Sequence, residues 1–209
     1  HLRTVDPHLD APFPSLGEKD LTRRKDFIST FERLVNLAIK SEVHLFVVSG
    51  DLFDSPRPSP ETVGKVQSGL KRLNDRGIAT VLLPGTHDSI SVPDSIYRRA
   101  DFPGALVIDH PLVDSPLHVD LSSGDLWLYA FAYQGFSSSD ALDTMKRRSS
   151  QGIHVGLLHG SKQGSPEWDY RQKDMPFTLP ALKSWGLDYV ALGHYHGFDL
   201  LDEGGRTYA

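Results

Sequence analysis

Five short polar segments carry residue types that can hold a metal ion. They are Asp6-Pro7-His8, Ser49-Gly50-Asp51, Pro84-Gly85-Thr86-His87-Asp88, His159-Gly160 and Gly193-His194-Tyr195-His196-Gly197. Carboxylate and neutral imidazole together suit zinc, manganese or iron, whereas an all-oxygen set would suit magnesium or calcium. In an extended segment, residues two apart project to the same side, so Asp6 and His8 can reach one ion together. His194 and His196 share that spacing, but they sit in a glycine-flanked turn and can also serve two neighbouring ions. Asp51 has two oxygens and can bridge both. Any single Asp after a strand is more often a cap or turn residue, and any single histidine more often a satisfied polar side chain. Five such segments in sequence order, each at the end of an apolar run, are hard to produce by accident. The remaining histidines, His1, His44, His110, His118 and His154, have no such context and read as ordinary surface or strand residues.

Hydrophobic periodicity supplies the elements that must position these segments. The apolar runs Leu2–Val5, Leu45–Ser49, Ile78–Leu83, Ile153–Leu158 and Tyr189–Leu192 each lead into one of them, and a further run covers Leu106–Ile108. Phe27, Phe31, Leu34, Val35 and Ala38 recur at spacings of three and four and predict a helix over 24–41. A second helix starts near Ser59, with Pro60 at its first position and Glu61 near the positive end of the dipole. Val63, Val66, Leu70 and Leu73 line one face of it, and Gly77 ends it. Leu117–Leu121 and Leu126–Phe131 around Ser122-Ser123-Gly124 predict a hairpin, and a proline-bounded helix is expected over 179–185. This alternation is the layout of an α/β domain. In open α/β sheets ligands bind outside the carboxyl ends of the strands, so the five segments are expected to converge.

The chain of 209 residues fits one domain spanning 1–209. It begins at His1 without a methionine and stops at Tyr208-Ala209 as a strand-like segment starts, so a trimmed part of a longer chain is expected. The absence of cysteine excludes a disulfide scaffold, a thiolate zinc site, an iron–sulfur cluster and a cysteine nucleophile. No window resembles a membrane span or a targeting segment, and a cytoplasmic location is expected. With 22 Lys and Arg against 27 Asp and Glu, the net charge of -5 does not by itself advertise nucleic-acid binding. The local clusters Arg23-Arg24-Lys25, Arg57, Arg98-Arg99 and Lys146-Arg147-Arg148 are the candidates for DNA contact, each more often a solvated face. Tyr195, Phe13 and Phe53 can stack on a base, with a core role as the plainer alternative.

The motifs DPH, SGD, PGTHD, LLHG and GHYH resemble the five metal motifs of the calcineurin-like metallophosphoesterases, over residues 6–197. Within that superfamily, SGDLFDSPRPSPET most resembles the DNA-repair exonuclease branch, the SbcD-like proteins, and the GDYVDRG-like motif of protein phosphatases is absent. The resemblance implies a four-layer αββα sandwich and a site for two divalent metal ions, commonly manganese, with iron or zinc as alternatives. Position by position it implies Asp6, His8, Asp51 and His196 around the first metal, and Asp51, Thr86, His159 and His194 around the second. His87 would be the catalytic acid near the leaving oxygen, and Asp88 its supporting partner. It also implies a DNA substrate, an SbcC-like ATPase partner whose docking segment would follow residue 209, and a homodimer as one assembly to expect.

One departure stands out. The third motif normally reads Gly-Asn-His-Asp/Glu, and Thr86 occupies the Asn position. A threonine hydroxyl is a shorter and weaker neutral donor than an amide carbonyl, so the expectation is a loosely held second ion, a water in place of the missing ligand, or an empty second site. Two divalent ions less the charges of Asp6 and Asp51 leave about +2 in the cleft, enough to attract a phosphodiester despite the acidic chain. Besides a DNA-repair nuclease, the pattern admits a phosphodiesterase for cyclic nucleotides or other small diesters. A third possibility is a binding scaffold with impaired chemistry, which the otherwise intact ligand set argues against.

Overall fold

The computed structural model describes residues 2–4, 7–121, 124–131, 142, 144–149, 151–162, 176–194 and 207–208. One sheet runs in the order β1 (Leu2–Thr4), β2 (Leu45–Ser49), β3 (Ala79–Leu83), β4 (Ala105–Val107), with every neighbour parallel. The second sheet contains β5 (Leu117–Leu121), β6 (Gly124–Phe131), β7 (Ile153–His159), β10 (Tyr189–Gly193) and β11 (Thr207–Tyr208), in the order β11-β10-β7-β6-β5. Only the β5–β6 hairpin is antiparallel there. A small ribbon pairs β8 (Ser161–Lys162) with β9 (Pro176–Phe177).

The layering follows from side-chain alternation along the strands. All five residues of β2 are buried because both of its faces are covered. Phe46 and Val48 pack with Phe31, Val35 and Ala38 of α1 (Asp20–Lys40) and with Val63, Val66 and Leu70 of α2 (Pro60–Asn74). Leu45 and Val47 point the other way, into a core shared with Leu126 and Leu128 of β6, Val155 and Leu157 of β7 and Ala191 of β10. The outer face of the second sheet, with Tyr129, Phe131, Leu158 and Leu192, packs on Leu182 of α4 (Leu179–Ser184) and on Trp185. Helices, sheet, sheet and helix form a four-layer αββα sandwich, as the motifs imply.

The elements depart from expectation in places that periodicity cannot see. Helix α1 begins at Asp20 rather than Arg24 because polar groups hold its first turn. The Asp20 carboxylate accepts the Phe13 N–H at 2.6 Å and pairs with Arg24 one turn on at 3.0 Å, while Leu21 is 68% exposed and contributes no apolar stripe. Helix α2 matches its signals, with Ser59 Oγ accepting the Thr62 N–H at 3.3 Å and Pro60 in the first turn. The short α3 (Ile96–Arg99) is too brief to show a period. Among the described residues no helix is long and apolar enough to cross a membrane.

Candidate metal centre

The ends of β2, β3, β7 and β10 converge on Asp51. Gly50 (φ 109°) and Asp51 (φ 47°) leave β2 in the left-handed region, a conformation that costs a non-glycine residue about 1–3 kcal/mol and persists where surroundings over-determine it. A Cβ at Gly50 would lie 1.9 Å from His159 Nδ1, and one at Gly85 would lie 2.2 Å from Asp51 Oδ1. Glycine at these two positions therefore makes room for the functional side chains. The turns after β1 and β2 are zipped together. His8 N–H donates to the Asp51 carbonyl at 2.9 Å, Leu9 N–H to Leu52 at 2.9 Å, and Asp54 N–H to Leu9 at 3.0 Å.

His159 ends β7, and the parallel register that sets it opposite Gly193 brings His194 alongside. Its buried ring approaches the Ser49 carbonyl through Nδ1 at 3.0 Å. Its Nε2 lies 3.2 Å from Asp51 Oδ2 and 3.3 Å from His194 Nδ1. Thr86 Oγ1 stands 3.4 Å from Asp51 Oδ2 and 3.5 Å from His159 Nε2. On the other side, His8 Nε2 is 3.7 Å from the same Asp51 oxygen, and His8 Nδ1 is 2.8 Å from Asp54 Oδ1. The second Asp51 oxygen accepts the His87 N–H at 2.8 Å. Two groups result, each with ligand atoms within 4.8 Å of one another: His8, Asp51 and His87, and Asp51, His159 and His194.

Burial alone would favour the neutral acid at Asp51. The hydrogen bond and charge of His159, with the N–H and charge of His87, outweigh it and hold the carboxyl well below its ordinary range. Asp88 behaves oppositely. Complete burial and the neighbouring Asp51 charge push it up to about 6, against three hydrogen bonds that favour the anion. These come from Gly85 N–H at 2.7 Å, Phe53 N–H at 3.1 Å and Tyr97 O–H at 2.7 Å. Tyr97 is raised well above its usual value by burial and by Asp88. The centre thus presents a buried anion whose oxygen faces imidazole nitrogens, and with those imidazoles deprotonated this is a donor set that suits a divalent cation.

Of the residues expected at the site, the structure brings His8, Asp51, Thr86, His87, His159 and His194 together. Asp6, His196 and Tyr195 lie outside the described residues. Asp88 turns inward to brace the β2 and β3 turns, fully shielded from solvent, so it supports backbone rather than meeting a substrate. Sequence reasoning missed Asp54 and Tyr97. Asp54 had a local signal, a carboxylate one turn beyond Asp51 in SGDLFD; Tyr97 had none, since its partner depends on tertiary packing. Phe53 is fully buried against Tyr97 and Phe102, so it is a core residue and not a base-stacking one. Several candidate cations are engaged within the chain: Arg57 with Asp94, Arg147 with Asp188, and Arg148 with Asp114.

Residues 6–198 match the family described as calcineurin-like phosphoesterase, and the chain belongs to that family of metal-dependent phosphoester hydrolases. Among curated proteins, the metallophosphoesterase YhaO of Bacillus subtilis (strain 168) is 28% identical over 209 residues, covering 93% of this chain and 48% of YhaO. The DNA double-strand break repair protein Mre11 of Saccharolobus solfataricus is 31% identical over 205 residues, 93% of this chain and 49% of that protein. Mre11 of Aeropyrum pernix is 29% identical over 219 residues, 93% of this chain and 48% of that protein. The chain spans about half the length of these curated relatives.

Proposed function

We propose that the chain is a manganese-dependent phosphodiesterase domain acting on DNA in repair. Asp6, His8, Asp51 and His196 would hold one ion, and Asp51, Thr86, His159 and His194 the other. One observation carries this reading: a single carboxylate oxygen, Asp51 Oδ2, lies between His8 Nε2 at 3.7 Å and His159 Nε2 at 3.2 Å. Divalent ions, when bound, supply Lewis acidity towards a phosphodiester and acidify nearby water. Asp51 keeps its charge across the working pH range because its carboxyl is held so low. His87, whose side chain is 39% exposed, is the group that faces an incoming substrate. Its Nδ1 lies 3.3 Å from the Asp54 carbonyl oxygen, which steadies the ring, and in the doubly protonated form it can release a proton from Nε2 to a leaving oxygen.

The choice of DNA is supported by relatives named for double-strand break repair that align over most of this chain. An ATPase partner, a homodimer and a cytoplasmic place of action belong to the same reading. The test is turnover with manganese on a single-stranded oligodeoxynucleotide, cyclic nucleotides and a small generic diester. The expected result is the highest kcat/KM on DNA. Preference for a cyclic nucleotide would move the chain to the small-substrate class, and no turnover on any diester with metal bound would make it a scaffold.

A further inference from the structure

We propose that Phe13, Arg23 and Phe27 form a stacking platform for an unpaired nucleobase. The Arg23 guanidinium lies 5.2 Å from the centroid of the Phe27 ring and 6.0 Å from that of Phe13. The two rings are 5.5 Å apart and inclined at 38°. Phe13 and Phe27 are half-buried and Arg23 is exposed, so the surface presents aromatic faces with a planar cation laid over them. Among the described residues Arg23 makes no ion pair, whereas the adjacent Arg24 reaches Asp20 at 3.0 Å and Asp10 at 3.6 Å. Among the described residues Arg23 is thus positioned by π faces, with its guanidinium on the exposed side.

The segment that carries Phe13 is tied down on both sides. Phe13 lies a few residues beyond His8, on the segment pinned by the Leu9–Phe53 bridge. The Asp10 carboxylate accepts the Ser59 N–H at 2.7 Å, and Asp20 accepts the N–H of Phe13 itself at 2.6 Å. A stacked cation and ring recognise the π face that every base shares, and the guanidinium edge can meet a flanking phosphate. Paired bases in a duplex hide those faces, so the ligand class is single-stranded or frayed DNA. This inference rests on the reading of the centre as a DNA phosphodiesterase.

The test measures binding of a single-stranded oligodeoxynucleotide with a fluorescent adenine analogue at its terminus, in chelator so that nothing is cleaved. The wild type is expected to quench the analogue. Phe13→Ala and Arg23→Ala should bind roughly tenfold more weakly and lose the quench. Phe13→Leu, which preserves bulk, should lose it too. Manganese-dependent hydrolysis of a small diester should be unchanged in all three. Unaltered quench and affinity in Phe13→Leu would overturn the platform, as would an equal loss of affinity for a blunt duplex. Failure of the wild type to hydrolyse any diester would strike the reading of the centre instead, because the binding measurement needs no turnover.

Discussion

The two sides of the centre are built differently. Asp51, His159 and the glycines at 50 and 85 form a closed side, where ligand atoms are buried and the side chains fill the space that the two glycines leave. His8, Asp54 and His87 form an open side, where side chains meet at 2.8–3.4 Å and His87 reaches solvent. The His8 and His87 rings pack edge to face with centroids 4.7 Å apart. The closed side is suited to holding charge in place and the open side to exchanging a proton with a substrate. Substitutions on the closed side should therefore cost stability and metal, and substitution of His87 on the open side should cost turnover.

The largest expected effect falls on the open side. His87→Gln should retain metal and lose on the order of 10²–10⁴-fold in kcat, the usual contribution of a positioned acid. Loss of the ions in that variant, by metal analysis, would make His87 a ligand, as its place beside His8 and Asp51 also permits. Next comes Gly50→Ala. The added methyl meets the His159 ring and the backbone holds φ at 109°, so thermal and denaturant unfolding should show a loss of about 3 kcal/mol or more. Wild-type stability in Gly50→Ala would mean that the closed side is softer than its geometry indicates.

Asp88 makes the same contrast sensitive to pH. Its pKa is raised from 3.8 to about 6 in the folded chain, so the folded state binds the proton more tightly than the unfolded state does. Stability should then fall as pH rises from about 4 to about 6, by roughly 3 kcal/mol in all. Melting curves of chelated protein should show this slope in the wild type and a flatter one in Asp88→Asn. Equal slopes would remove Asp88 as the cause. The smallest effect is expected from Thr86→Asn, which offers a longer carbonyl donor at the closed side. About a tenfold lower manganese requirement, or roughly 1.4 kcal/mol, is expected. An unchanged requirement would mean that Thr86 already completes the site.

Much of the closed side was legible in the sequence because strand ends announce themselves. Asp51, His159 and His194 each follow an apolar run, and parallel pairing carries such ends to one edge of the sandwich. The layer order was legible through the family motifs and is visible in which residues of β2 face which core. The open side was less legible, since the contact between Asp54 and His8 spans two turns and depends on backbone pairing that no periodicity encodes. Phe13 and Phe53 were equivalent as sequence. Only packing separates the buried ring from the one beneath Arg23.

The most direct test of the central claim, that Asp51 is shared by two ions, is the number of manganese ions per chain in the wild type and in Asp51→Asn, counted by native mass spectrometry. Two ions in the wild type and none retained in Asp51→Asn are expected, because both groups of ligands lose their common anion. Retention of one ion at full occupancy in Asp51→Asn would contradict the shared role, and with it the two-ion account of the centre.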